Sequence, residues 1–231
     1  MEILGNKYLL LALTFGTFAL FKSLQKRTGW ILLNPILLTI VSLIIMLKLA
    51  DINYETYNEG GELIAFWLKP AVVALGVPLY FQLEMIKKQL LPILLSQLVG
   101  CLVGIISVVL IANGLGASPE VICSLAPKSV TTPIAMEVSN ATGGIPSLTA
   151  AIVVMVGLLG AVFGFKVLNL GYVKSPIAQG LSMGTASHAI GTSAAMELSR
   201  KYGAYASLGL TLNGIFTAVL TPILLKLLGI I

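Results

Sequence analysis

The chain has 231 residues, of which 57% are apolar and 10% charged; a soluble domain carries about 25% charged residues, so the solvent here is a lipid bilayer. The formal net charge of +5 is no nucleic-acid signature, because basic loops collect on the cytoplasmic face of any polytopic protein. Period-two alternation is absent, which argues against a membrane β-barrel, and no metal-ligand cluster, nucleophile elbow or phosphate loop points to an enzyme or a cofactor.

Six apolar runs, 8–21, 30–50, 63–81, 90–112, 146–168 and 204–231, match or approach the roughly 20 helical residues that cross a hydrocarbon core. The first is followed by Lys22, Lys26 and Arg27, a cluster expected in the cytoplasm, which places the N-terminus outside. The second opens on Asn34-Pro35. Two readings of that pair stand: a polar lining beside a broken backbone hydrogen bond, or a tolerated kink with Asn34 at the interface. Residues 51–62 hold Asp51, Glu55, Glu59 and Glu62 around Gly60-Gly61 and are expected as an external loop. The third run contains Lys69-Pro70 and Pro78 and ends at Lys87-Lys88, returning the chain to the cytoplasm as an irregular helix. The fourth crosses outward with Gly100 and Gly104, a spacing that permits close helix approach. Cys101 and Cys123 read as small buried hydrophobes.

Between the fourth run and 146–168 lie about thirty residues in which 118–127 and 129–140 are each too short to cross. Joined by Ala126-Pro127-Lys128-Ser129, they are expected as a re-entrant hairpin dipping in from outside. The run 146–168 then goes inward to Lys166 and Lys174, and 175–186 with 187–200 form a second hairpin entering from the cytoplasm. Arg200-Lys201 marks its exit, and 204–231 crosses outward. This arrangement puts the basic clusters at 22–27, 87–88, 166–174 and 200–201 on one face; Lys48 and Lys226 are left at outer helix ends, where they can snorkel.

The two hairpins echo each other. Sliding the chain by sixty residues matches Thr132, Ala135, Met136, Glu137, Ser139, Gly143, Ser147 and Leu148 with Thr192, Ala195, Met196, Glu197, Ser199, Gly203, Ser207 and Leu208. A repeat of one hairpin plus one span crosses an odd number of times, so its second copy is inverted, a construction typical of secondary transporters. The fold class expected is an all-α integral membrane protein with about six transmembrane helices and two opposed re-entrant helical hairpins in an inverted repeat. It forms one polytopic domain: N-terminal helices over 1–114, the first repeat over 115–171 and the second over 172–231.

Hairpin tips expose unpaired backbone N–H groups at the start of a half-helix, where partial positive charge favours an anion. Ser129, Thr131 and Thr132 from one tip and Thr192 and Ser193 from the other add hydroxyl donors, and Gly191 lets backbone approach a ligand. Lys128 supplies a full positive charge, and His188 one that titrates near neutral pH. With Asn34 these residues are the expected binding site for a small organic anion, most simply a carboxylate. Each has a plainer counterpart: Lys128 snorkelling or paired with a glutamate, His188 bonded to backbone, the hydroxyls packing between helices.

The stretches Ala-Pro-Lys-Ser-Val-Thr-Thr-Pro-Ile-Ala at 126–135, Gly-Thr-Ala-Ser-His-Ala-Ile-Gly-Thr at 184–192 and Lys-Pro-Ala-Val-Val-Ala-Leu-Gly-Val-Pro-Leu-Tyr at 69–80 resemble motifs of the LrgB/CidB family. That family includes bacterial proteins of the YohK type and the plastid glycolate/glycerate translocator. The resemblance implies one of two functions: transport of a small monocarboxylate such as glycolate, glycerate or pyruvate, or a holin- or antiholin-like effect on murein hydrolase activity and lysis. It also implies a bacterial inner-membrane location and a smaller membrane partner of the LrgA/CidA type, a part this chain lacks. Self-association as a homo-oligomer is expected too.

Overall fold

The computed structural model describes residues 6–28, 33, 35–74, 80–81 and 83–231. All regular structure among them is helical. The chain forms two compact units, Met1–Leu75 and Gly76–Ile231, a division that falls within the N-terminal helices of the sequence reading.

In the first unit α1 (Lys7–Thr28) packs against α2 (Pro35–Leu49) and α3 (Tyr54–Ala74). α1 ends on Lys26 and Arg27, as cations favour the negative end of the helix dipole. α2 begins at Pro35, where proline's fixed φ and missing N–H suit a first helical residue; at 15 residues it measures about 22 Å, short of the roughly 30 Å hydrocarbon core. The acidic segment 51–62 differs from expectation, since from Tyr54 onward it is the opening of α3 and not a loop. Gly60 lies within that helix, and a Cβ on it would lie 2.7 Å from the Lys7 carbonyl oxygen. Gly60 therefore serves close approach of α3 to α1, with Thr14 Oγ1 3.1 Å from the Tyr57 hydroxyl beside it. Lys69 falls within α3, and residues 75–79 of the third run lie outside the described residues.

The second unit holds α4 (Leu83–Lys88), α5 (Leu90–Gly114), α6 (Pro119–Leu125), α7 (Thr132–Ala141), α8 (Pro146–Leu170), α9 (Pro176–Leu198) and α10 (Arg200–Leu227). α6, α8 and α9 open on proline. α1, α5, α8 and α10 are the four helices among the described residues that are long and apolar enough to cross a membrane, against the six spans expected. On α5 an exposed stripe of Leu91, Leu95, Val99, Val103 and Leu110 recurs at helical spacing, a face suited to lipid. The chain is an all-helical integral membrane protein.

Two reversals of the chain shape this unit. Ser124 on α6 and Ser139 on α7 are fifteen residues apart, yet the Thr149 hydroxyl lies 3.0 Å from the Ser124 carbonyl and 2.8 Å from the Ser139 hydroxyl. The chain therefore doubles back through 126–131. In α9, Ser187 (φ −128, ψ 17) and His188 (φ 42, ψ −137) are not helical, and a Cβ on Gly191 would lie 2.5 Å from the Met183 carbonyl oxygen. Eight residues of straight helix would separate the two by about 12 Å, so 176–186 and 189–198 are antiparallel half-helices.

The direction of each element follows from its contacts. Gly180 and Gly184 face Tyr202 and Ala206 in rising order, so 176–186 runs parallel to α10. Met196 meets Gly203 and Thr192 meets Ala206, so 189–198 runs back. Ile93 packs with Leu181 and Gln97 meets Thr185, which makes α5 parallel to the first half of α9, and Gly160 and Gly164 of α8 meet Ser187 and Met183 in falling order, so α8 runs the opposite way. The beginnings of α5, α9 and α10 and the end of α8 consequently share one end of the unit, which among the described residues carries Lys87, Lys88, Lys166, Lys174, Arg200 and Lys201 against the carboxylates Glu84 and Glu197. The opposite end carries Glu120, Glu137 and Lys226.

Candidate functional site

A cleft of about 710 Å³ lies between α5 and the first half of α9, with its floor made by α10 and the 126–129 turn. Small-molecule sites occupy about 300–1,000 Å³. On α5 the lining recurs every three or four residues from Gln89 through Ile93, Gln97 and Cys101 to Ile105, one helix face about 24 Å long. Facing it, 175–186 contributes Ser175, Ala178, Leu181, Ser182 and Thr185.

The two ends of the cleft are unlike. Gln89 and Ser175 at one end are exposed. At the other, Cys101, Ile105 and Ala126 are each 3% exposed and merge into an apolar layer with Val109, Ile122 and Leu225. The cleft is therefore blind at the end away from the basic face, bounded there by an apolar layer in which the Cys101 thiol lies 3.4 Å from the Thr217 hydroxyl, while Gly100 and Ala186 in its wall stay exposed.

Lys128 stands at this blind end. The short 126–131 turn is too tight to continue α6, and Thr131 caps α7 with backbone alone, its side chain making no cap bond. Half-buried Lys128 donates from Nζ to Ser129 Oγ at 2.9 Å, its one polar contact among the described residues. Among the described residues it is also the one charged residue in the lining. The polar neighbours form a chain across three elements: Asn213 Nδ2 donates to the carbonyls of Ser129 at 3.1 Å and Thr185 at 3.0 Å, and the Thr185 hydroxyl donates to Gln97 Oε1. Asn213 and Gln97 are 1% and 4% exposed. An amide that joins the two broken segments through their backbone fixes where Lys128 sits relative to 176–186.

Of the residues expected in the site, Lys128 and Ser129 line the cleft and the others described do not. Thr131 and Thr132 open α7 outside it. His188 turns the other way: its Nε2–H donates to the Val153 carbonyl at 2.8 Å, and a Cβ on Gly157 would lie 2.6 Å from its ring. That packing fixes His188 against α8, and its left-handed φ aims the side chain there, so the expected meeting of Lys128 and His188 in one pocket is not what the structure shows. Gly191 backs onto Met183, and Thr192 is fully buried with its hydroxyl on the His188 carbonyl at 2.8 Å. Ser193 is exposed and bonds the Ala189 carbonyl at 3.0 Å. The physical reason is common to all four: the second hairpin presents its first half to the cleft and keeps its second half behind, against α8 and α10. Asn34 lies outside the described residues. Among the cleft residues not expected in the site are Gln97, Thr185 and Asn213; for Gln97 and Asn213 a lone amide in the middle of an apolar span was the available signal.

A cation among hydroxyl and amide groups, with no carboxylate beside it, is chemically suited to hold one small anion by charge-assisted hydrogen bonds. Leaving such a charge in a largely apolar body uncompensated is unfavourable, and a bound anion offsets that.

No solved structure matches the chain. It is 40% identical over 220 residues, 95% of both chains, to an uncharacterized protein of Haemophilus influenzae. It is 40% identical over 205 residues to YwbG of Bacillus subtilis, covering 89% of this chain and 91% of that one. The antiholin-like protein LrgB of Bacillus cereus is 36% identical over 220 residues, 95% of this chain and 94% of its own. The LrgB-like family matches residues 14–227, nearly the whole sequence, and with four apolar helices of spanning length this chain is a multi-pass membrane protein belonging to that family.

Proposed function

We propose that the chain is a secondary carrier of small monocarboxylates of the glycolate, glycerate or pyruvate type, working by alternating access. The observation that carries this reading is Lys128, a cation bonded only to a hydroxyl among the described residues, at the closed end of a cleft walled by α5 and the first half of α9. The two reversals support re-entrant hairpins entering from opposite leaflets, and their repeated order of short helix, break, short helix and long helix fits the inverted repeats of carriers. With Lys22, Lys26 and Arg27 at the end of α1 in the cytoplasm, the N-terminus lies outside, and the protein sits in a bacterial inner membrane. Self-association and a smaller partner of the LrgA/CidA type belong to the same reading. Replacing Lys128 by alanine removes charge-assisted hydrogen bonds worth about 1.5–3 kcal/mol, so substrate affinity falls by about ten- to a hundred-fold. Uptake of labelled acids into vesicles, with membrane content of the protein checked, tests this; unchanged uptake would remove Lys128 from the site.

The name antiholin-like borne by the Bacillus cereus relative favours a second reading, a holin- or antiholin-like protein that modulates murein hydrolase activity and lysis. A cleft closed at one end is less suited to a pore, and flux measurements separate the two.

A further inference from the structure

The cleft carries one charge inside and an unusual concentration of charge at its rim. Its exposed end is marked by Gln89 and Ser175, and the residues immediately before them are Lys88 and Lys174. Lys87 and Lys88 form the last turn of α4, so three exposed ammonium groups come to the chain positions where the cleft begins. The acidic side chains at that end are Glu84, one turn earlier on α4, and Glu197, at the far end of the second half of α9; neither lines the cleft. Among the described residues the lining itself has no carboxylate. At the other end the apolar layer around Val109, Ile122 and Leu225 closes the passage.

We propose that this cleft is an electropositive funnel open to the cytoplasm, in which Lys87, Lys88 and Lys174 draw anions from that side alone and pass them to Lys128. This rests on reading the cleft as the anion's binding place. The lysines also fit the general bias for basic residues on the cytoplasmic side, but that bias does not require them to border a cleft. The length of the cleft decides how far their field reaches. At about 0.01 M ionic strength the screening length is about 30 Å, longer than the cleft, whereas at about 0.15 M it is about 8 Å and covers only the outer third. Steering of this kind raises association rates by about 10- to 1,000-fold and falls steeply with salt.

The test places a thiol halfway down the cleft with Ser182→Cys in a Cys101→Ala, Cys123→Ala background. Anionic and cationic methanethiosulfonates of similar size are applied from either side of the membrane, each rate normalised to reaction with a small free thiol. The anionic reagent reacts about tenfold or more faster than the cationic one from the cytoplasmic side at low ionic strength. That preference collapses toward unity at high salt and drops several-fold in Lys87→Gln, Lys88→Gln, Lys174→Gln. Equal rates for the two reagents at low salt, a preference untouched by salt, or modification only from the outer side would overturn the funnel. The salt titration uses the native mouth and decides the matter even where the triple variant fails to fold. Labelling needs no turnover, so a steep anion preference in a protein that moves no acid would leave the funnel standing and remove the carrier.

Discussion

Lys128 and His188 occupy corresponding places under the sixty-residue slide, and they end in opposite surroundings. Lys128 has a hydroxyl partner and an open cleft; His188 has a backbone carbonyl and the face of α8. The type of residue was readable from the sequence, because both are ionisable groups in helix-interrupting stretches. The direction of the side chain was not, since it depends on the left-handed φ of His188 and on Gly157 leaving room for the ring. Asn213 shows the reverse. It sits in an unbroken apolar helix with no local signal beyond its polarity, yet its two N–H donors hold Ser129 and Thr185. Asn213→Asp puts a carboxylate oxygen where a donor faces two carbonyls, leaving buried groups unpaired at about 1–3 kcal/mol. A lower melting temperature in detergent, together with a raised KM for uptake, is expected; a variant with wild-type melting and KM would show that Asn213 holds nothing in place.

At the scale of elements, the two reversals were legible in the sequence because proline, hydroxyl residues and short apolar segments coincide at 126–132 and because the hydroxyl residues and short segments, without the proline, return near 187. The opening of α3 was misread because glycine and glutamate serve equally in a loop and on a helix that must approach a neighbour, and only the contact of Gly60 with Lys7 decides between them. A comparable contact holds the second hairpin to α10. A Cβ on Gly184 would collide with the Ala206 carbonyl oxygen and lie 2.9 Å from the Leu210 amide, backbone atoms that cannot rotate aside. Gly184→Ala therefore forces the half-helix off α10, a destabilisation of about 1–3 kcal/mol as for other overpacked cores. Thermal unfolding in detergent should show it, and wild-type stability would mean that the two helices are less closely fitted than described.

For the whole molecule, the charge pattern and the cleft lead to one account. Basic side chains gather at the end where α5, α9 and α10 begin, the cleft is exposed at that end, and an apolar layer closes the other. Membrane character and the uneven charge were visible in composition alone; the cleft was not, because it is walled by α5, a helix whose sequence reads as an ordinary span. The direct measurement is flux in proteoliposomes of purified protein loaded inside with a short monocarboxylate. The account predicts saturable uptake of labelled acid, accelerated by the internal acid, lost in Lys128→Ala, with sugars and inorganic cations retained. Unselective escape of those unrelated solutes, or no exchange of any short acid by folded protein, would contradict it.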